Sequence, residues 1–328
     1  MIDIKNLKIN LERKILESEK LIIVPHNSID FDAIGSAIGL ALVGNKLKKS
    51  THILVNDLPY KMDHGCKLIV DEAKEDFDII DKNKYTKIDN PNDLFVLTDV
   101  NKKHLISIPE ILTNPNNIFI IDHHEKDSDT VNSNNIYIDS NVSSASEIIY
   151  HLLDDFDIKI PDRVANYLLS GIYLDTNKYT KNTSAKTMLV VAKLLELGAS
   201  MNTVTNWFTE DFESDRRVQE LVSKVEIIRH SIAIIKASED MEYVKEELAK
   251  AADYSLKYEI DAAFAIGNIG ENVVAVSARS KEKVDVGEVM KDMGGGGHKY
   301  SAACQLQNTT IEEVGKKLVK KLTPAYYV

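Results

Sequence analysis

Cysteine is scarce: Cys66 and Cys304 are the only two in 328 residues. That excludes a secreted scaffold stapled by disulfides and points to a reducing compartment. Long apolar runs are missing as well. The N-terminus is too polar for a secretion signal, and no apolar stretch reaches the ~20 residues that a bilayer-spanning helix needs. The expectation is a soluble, cytoplasmic protein that does not engage a membrane. Basic side chains are outnumbered, 40 against 51 acidic, for a formal net charge of -11. Proteins that track long nucleic acid draw affinity from cationic side chains set against phosphates, so that class is disfavoured. A small anionic substrate held through metal ions is compatible with the balance. Internal repeats and low-complexity tracts are absent.

What is present is ordinary globular material, 44% hydrophobic and 28% charged, enough for sizeable cores. At roughly 150 residues per domain the length suggests two domains. Short continuous apolar runs at 21–24, 52–55, 94–97 and 118–121 read as buried strands, with a helical pattern from 33 to about 47 between the first two. Helices are expected over 144–155, 162–172 and 185–197. This alternation predicts an α/β domain, a parallel sheet with helices on both faces. The stretch 80–93, rich in Asp, Asn and Lys, reads as a surface excursion. Beyond a charged helical stretch, the runs 232–235, 262–266 and 273–276 predict a smaller α+β domain. The expected boundaries are 1–205 for the first domain, 206–226 for a helical linker and 227–328 for the second. Lys316, Lys317, Lys320 and Lys321 are interleaved with Val314, Leu318 and Leu322, which predicts the solvated face of an amphipathic helix.

Four clusters in the first half carry chemistry-bearing side chains. His26, Asp30 and Asp32 follow the first strand, Asp99 the run 94–97, Asp122, His123 and His124 the run 118–121, and Asp175 a helix. In open α/β sheets such groups collect beyond the carboxyl ends of the strands. Each has an ordinary reading by itself: Asp99 or Asp175 as a turn or cap residue, Asp30 and Asp32 likewise, the His pair as surface. Jointly they point to metal, because burying several carboxylates together without a cation costs several kcal/mol in repulsion and desolvation. The mixture of carboxylate oxygen and imidazole nitrogen suits hard or borderline divalent cations such as Mn²⁺. Ser143, Ser144 and Glu147 fit a capping box with Ser144 as N-cap, and the same helix N-terminus could receive a phosphate. Gly294 to Gly297 precede His298, a loop without Cβ atoms whose amides can approach a ligand. Arg279 is readable as a phosphate or base contact, or as a surface ion pair.

Together these motifs resemble the DHH phosphoesterase superfamily, named for the Asp-His-His found here at 122–124. The second half is similar to the DHH-associated C-terminal domain, marked by a glycine-rich loop ending in His, here Gly295, Gly296, Gly297 and His298. Within the superfamily, residues 171–177, 183–187, 277–280 and 294–298, with Ala302 and Ala303, resemble most the catalytic module of bacterial cyclic-di-AMP phosphodiesterases. Ile29 stands where many relatives have Pro. Membrane-anchored members of that group carry transmembrane and sensory domains ahead of the catalytic part, so a stand-alone form is expected here.

The resemblance implies two divalent metal ions, Mn²⁺ foremost. His26, Asp30 and Asp99 would hold one, and Asp32, Asp99, His123 and Asp175 the other, with Asp99 bridging. It implies that His124 offsets phosphoryl charge and protonates the leaving oxygen, and that Asp122 fixes an imidazole. Arg279, the glycine loop and His298 would grip a nucleotide, with the active site in the cleft between the domains. The implied activity is hydrolysis of cyclic di-AMP or linear di-adenylate to smaller adenine nucleotides. Alternatives are a nanoRNase or a 3′-phosphoadenosine 5′-phosphate phosphatase, then a RecJ-like single-strand exonuclease or a nucleotide sensor without catalysis. The expected partner is a small nucleotide, whether a cyclic or linear dinucleotide or a short oligoribonucleotide, and not long nucleic acid; homodimers are common among relatives.

Overall fold

The computed structural model describes residues 4–55, 62, 64–85, 90–209, 212–281 and 283–322. The chain divides into two compact units, residues 1–209 and 210–328. The first runs α1 (Ile4–Glu17), β1 (Lys20–Val24), α2 (Phe31–Lys46), β2 (Ser50–Val55), α3 (His64–Ala73), β3 (Ile79–Asp81), β4 (Leu94–Thr98), β5 (Ile118–Asp122), β6 (Asn135–Ile138), α4 (Ala145–Asp155), α5 (Asp162–Asp175), α6 (Ala185–Glu196) and α7 (Met201–Trp207). Its six strands form one sheet in the order β3-β2-β1-β4-β5-β6, and every pairing is parallel. Strands buried on both faces need continuous apolar runs, which is why 21–24, 94–97 and 118–121 carry no alternation.

The two faces are covered differently. Leu21, Ile23, Val96, Phe119 and Ile121 join a core to which all seven α-helices contribute, from Leu11 of α1 to Trp207 of α7. Ile22, Val24, Phe95, Leu97, Ile118 and Ile120 face the other way, onto Val100, Ile106, Ile108, Ile111 and Val131. Right-handed crossovers account for the split. From β1 to β3 the chain moves one way across the sheet, and from β4 to β6 the other, so its connections change face. Short 3₁₀ turns, Lys103–Leu105 and Pro109–Thr113, supply the helical cover there.

Two expectations shift. The helix expected to end at 172 continues to Asp175. The stretch 80–93, expected as a surface excursion, contributes to the edge strand β3 and buries Tyr85, whose hydroxyl donates to buried Asp93 at 3.0 Å.

The second unit comprises α8 (Phe212–Ser223), β7 (Val225–Ile228), β8 (Ile232–Lys236), α9 (Lys245–Ser255), β9 (Ala262–Asn268), β10 (Val273–Ser280), α10 (Val286–Asp292), β11 (Gly296–His298), β12 (Ser301–Gln307) and α11 (Ile311–Lys321). Its sheet has the order β11-β12-β10-β9-β8-β7, antiparallel except for β8 with β9. Helix α8, within the stretch expected as a linker, packs Val218 and Leu221 into this unit's core. In α11, Ile311, Val314 and Leu318 are buried while Lys316, Lys317 and Lys320 are exposed. Among the described residues no single helix is long and apolar enough to cross a membrane.

Candidate metal centre

The strand order of the first unit reverses between β1 and β4, the place where open α/β sheets gather ligands beyond the strands' carboxyl ends. His26 lies two residues past β1, Asp99 directly follows β4, and Asp122 is the last residue of β5, with His123 and His124 next. Asp99 is turned by a left-handed backbone, φ 58°, and its amide donates to Ile121 O at 3.0 Å. Asp and Asn tolerate that region better than most residues, and strain of this kind gathers at functional sites.

Asp30 caps α2 with one oxygen and serves the cluster with the other. Its Oδ1 accepts from the amides of Asp32 (3.0 Å) and Ala33 (2.9 Å), while Oδ2 stands 3.4 Å from His26 Nε2. Asp32, in the first turn of α2, is fully buried. Both its oxygens are gripped by the start of α4, Oδ2 by the Ala145 amide at 2.7 Å and Oδ1 by the Ser146 amide at 2.8 Å. A helix N-terminus stabilises negative charge through its unpaired amides and dipole. Gly171 of α5 makes room for this arrangement, since a Cβ there would lie 2.6 Å from Asp32 Oδ1 and 2.3 Å from Ser146 Oγ.

The side chains converge. Asp99 Oδ2 is 3.6 Å from His26 Nε2, and Asp99 Oδ1 is 3.4 Å from His123 Nε2. His123 Nε2 is also 3.0 Å from Asp175 Oδ2 and 3.8 Å from Asp32 Oδ2. Among the described residues three groups offer donor atoms within 4.8 Å of one another, His26–Asp30–Asp99, Asp32–His123–Asp175 and Asp99–Asp122–His123–His124. Asp99 turns one oxygen to His26 of the first group and the other to His123 of the second. Asp122 Oδ1 accepts from the amides of His123 (2.7 Å) and His124 (3.2 Å) and from His124 Nδ1 (2.9 Å), so it fixes the second imidazole.

Electrostatics sets these groups against one another. Burial opposes charge on His26, but the Asp30 and Asp99 carboxylates outweigh it and hold the ring's pKa at about 10. Burial likewise opposes charge on His123, and Asp175, Asp99 and Asp32 raise it to about 11. Asp99, despite burial, is held down at about 2 by His123 and His26. Asp32 is pushed well above the usual carboxylate range by burial and then by Asp99 and Asp175, and Asp175 is raised mainly by burial. Among the described residues, no lysine or arginine forms an ion pair with Asp30, Asp32, Asp99 or Asp175. Buried Asp99 Oδ1 and His123 Nε2 make no well-formed hydrogen bond. These two atoms, 3.4 Å apart inside a carboxylate cluster, fit a divalent cation, and the oxygen-and-imidazole donor set fits Mn²⁺ or a similar ion.

Other expected contacts fare differently. Ser143 and Ser144 are buried, and both are engaged by Glu147. Ser144 Oγ caps α4 by accepting the Glu147 amide at 3.1 Å, while Ser143 donates its amide and hydroxyl to Glu147 Oε2. At this helix N-terminus the Ala145 and Ser146 amides are taken by Asp32. Thr187, in the stretch 183–187, donates to the same Glu147 oxygen at 3.0 Å and so joins α6 to α4. In the second unit, Arg279 Nε pairs with Asp253 Oδ2 at 3.1 Å. The glycine run is partly an edge strand rather than a free loop: β11 pairs with β12, and a Cβ at Gly295 or Gly297 would strike Ala303 O or Ala302. Two of the four glycines thus serve strand packing. Gly296 has open space, and His298 is exposed. Residues that sequence reading missed are Asn101, buried and donating to His124 O at 2.9 Å, and the amides of Ala145 and Ser146. Their partners are distant in sequence; only the capping pattern at 144–147 marked where α4 begins.

Comparison with known proteins finds relatives along both units. The DHH family, N-terminal domain, matches residues 20–172, and the DHHA1 domain matches 230–325. The chain is 32% identical over 302 residues to a membrane protein–large ribosomal subunit bL9 fusion protein of Onion yellows phytoplasma (strain OY-M), covering 89% of this chain and 35% of that one. It is 30% identical over 321 residues to the cyclic-di-AMP phosphodiesterase PdeA of Listeria monocytogenes serotype 1/2a (strain 10403S), covering 95% and 48%. The chain thus spans less than half the length of these curated relatives. The fold is shared with an exopolyphosphatase-related protein from Bacteroides fragilis, with a TM-score of 0.81 at 19% identity over 98% of both chains. The chain belongs to the DHH family, a DHH N-terminal domain followed by a DHHA1 domain.

Proposed function

We propose that the protein is a divalent-metal phosphodiesterase that hydrolyses cyclic di-AMP, linear di-adenylate or both to smaller adenine nucleotides. The observation that carries the chemistry is Asp99, whose two oxygens stand at 3.6 and 3.4 Å from imidazoles of two separate ligand groups. His26, Asp30 and Asp99 would hold one cation, and Asp32, Asp99, His123 and Asp175 the other. Cations held there lower the pKa of water and neutralise charge on phosphoryl oxygens.

The chain's own residues account for the proton. His124 is 54% exposed, which leaves it within reach of a bound phosphodiester. Its Nδ1 is engaged by Asp122, so Nε2 is the nitrogen left to give a proton to the leaving 3′-oxygen. The Asp122 carboxylate raises the pKa of the ring, favouring the protonated form that this step requires. Ser143 and Ser144 take no part, because both hydroxyls are committed within the fold. Exposed His298, and Arg279, are assigned to nucleotide recognition.

The substrate assignment leans on likeness to the Listeria enzyme along 95% of the chain. Purified protein with Mn²⁺ is to be offered cyclic di-AMP, linear di-AMP, 3′-phosphoadenosine 5′-phosphate, a short RNA and pyrophosphate, with products resolved by chromatography. Hydrolysis of the first two ahead of the others is the expected result. Preference for the short RNA or the mononucleotide would transfer the assignment to the nanoRNase or phosphatase class. No hydrolysis of any, with tight binding of one, would make the protein a sensor.

A further inference from the structure

Directly after Asp175 the backbone enters a conformation that L-residues avoid. Asn177, Lys178 and Tyr179 have φ of 46°, 61° and 64°, three consecutive non-glycine residues in the left-handed region. Asn visits it readily, but Lys and Tyr do not. Such a conformation persists only where its surroundings over-determine it.

Thr176 supplies that determination. It is fully buried. Its hydroxyl donates to Ile172 O at 2.6 Å and accepts from the Tyr179 amide at 3.0 Å. Its carbonyl accepts from the amides of Thr180 (2.9 Å) and Lys181 (2.8 Å), while the Lys178 amide reaches back to Tyr173 O at 2.8 Å. The Tyr179 ring meets Tyr173 edge-on at 5.3 Å. Helix ends ordinarily fray over their last turn. Here the last residue of α5 is the one whose carboxylate stands 3.0 Å from His123 Nε2, and fraying would move it.

We infer that Thr176 and the left-handed turn 177–179 are a positioning device, closing α5 at Asp175 and aiming its carboxylate at the metal centre. The inference rests on the metal reading given above. Groups that orient a ligand residue typically affect metal affinity by about 10–100-fold, and productive sites need placement within about 0.5 Å.

Two pairs of variants in the full chain test it, with Mn²⁺ affinity read by the electron paramagnetic resonance signal of free Mn²⁺ and folding checked by circular dichroism. Thr176→Val keeps shape but loses the hydroxyl, whereas Thr176→Ser keeps the hydroxyl. Lys178→Val places a β-branched residue where φ is 61°, on an exposed position that does not threaten the core, whereas Lys178→Gly fits that φ freely. We expect Thr176→Val and Lys178→Val to weaken Mn²⁺ binding roughly tenfold or more, with the Ser and Gly variants within about twofold of wild type. If Thr176→Val fails to fold, the Lys178 pair decides alone. Wild-type affinity in Lys178→Val, or equal loss in Lys178→Gly, overturns the inference. A wild-type protein without affinity for Mn²⁺ overturns the metal reading itself, and this inference with it.

Discussion

Asp99 shows how much one position can carry. Its left-handed backbone, φ 58°, makes alanine a poor probe, because alanine would strain the turn as well as remove the carboxylate. Asn tolerates that φ, so Asp99→Asn isolates the charge. The variant is expected to fold with wild-type circular dichroism and to lose metal-dependent hydrolysis by roughly 10³-fold or more, since the metals contribute several kcal/mol. Turnover within tenfold of wild type would reject the two-metal reading. Asp122→Asn probes the proton donor instead. An amide oxygen there can still accept from His124 Nδ1, but the charge that raises the ring's pKa is gone. The alkaline limb of kcat/KM against pH should therefore move to lower pH; a limb that stays in place would remove His124 from the acid role.

Among the elements, α4 and α5 set the geometry that the strands only begin. Gly171→Ala puts a methyl group 2.6 Å from Asp32 Oδ1. Overpacking of this kind costs about 1–3 kcal/mol. The expected outcome is a lower melting temperature together with weaker Mn²⁺ binding, read by calorimetry; lost stability with unchanged affinity would mean that Asp32 does not depend on this contact. Strands β1, β2, β4, β5, β8, β9 and β10 and several helices were legible because continuous apolar runs and helical periodicity are local signals, whereas β3, β6, β7, β11 and β12 were not read from the sequence. His26, Asp99 and Asp122 could be placed at strand ends for the same reason. The grip of α4 on Asp32 was not legible, because the amides of Ala145 and Ser146 have no side-chain signature and lie more than 110 positions from their partner. Ser144 caps α4 as its pattern predicts. A capping pattern shows that a helix N-terminus exists, but not which anion it holds. The glycine run at 294–297 admits two roles in the sequence, because edge-strand packing and ligand approach ask for the same missing Cβ atoms.

For the whole molecule, the clustered charges link stability to pH and to metal. His26 and His123 are held near 10 and 11, above the ordinary 6.5. A raised folded-state pKa contributes stability in full below the unfolded value and loses it as pH rises through the folded one. In chelator the protein should therefore lose stability progressively as pH rises from about 6.5 through about 10 and 11. Asp99 works at the opposite end, its contribution fading as pH falls from about 3.8 through about 2. A bound cation competes with those protons, so saturating Mn²⁺ should flatten the alkaline decline. Melting temperatures in EDTA and in Mn²⁺ across that range check this, and parallel curves would count against a cation at this cluster. The cluster's layout also has a consequence for biosynthesis. His26 leaves the ribosome first and Asp175 last, with β1, β4 and β5 already made. At about 5–20 residues per second, a nascent chain waits on the order of ten seconds or more between them. During that interval the group Asp32–His123–Asp175 stays incomplete while His26, Asp30 and Asp99 are already made, so a cation held by the second group would be captured only when α5 docks.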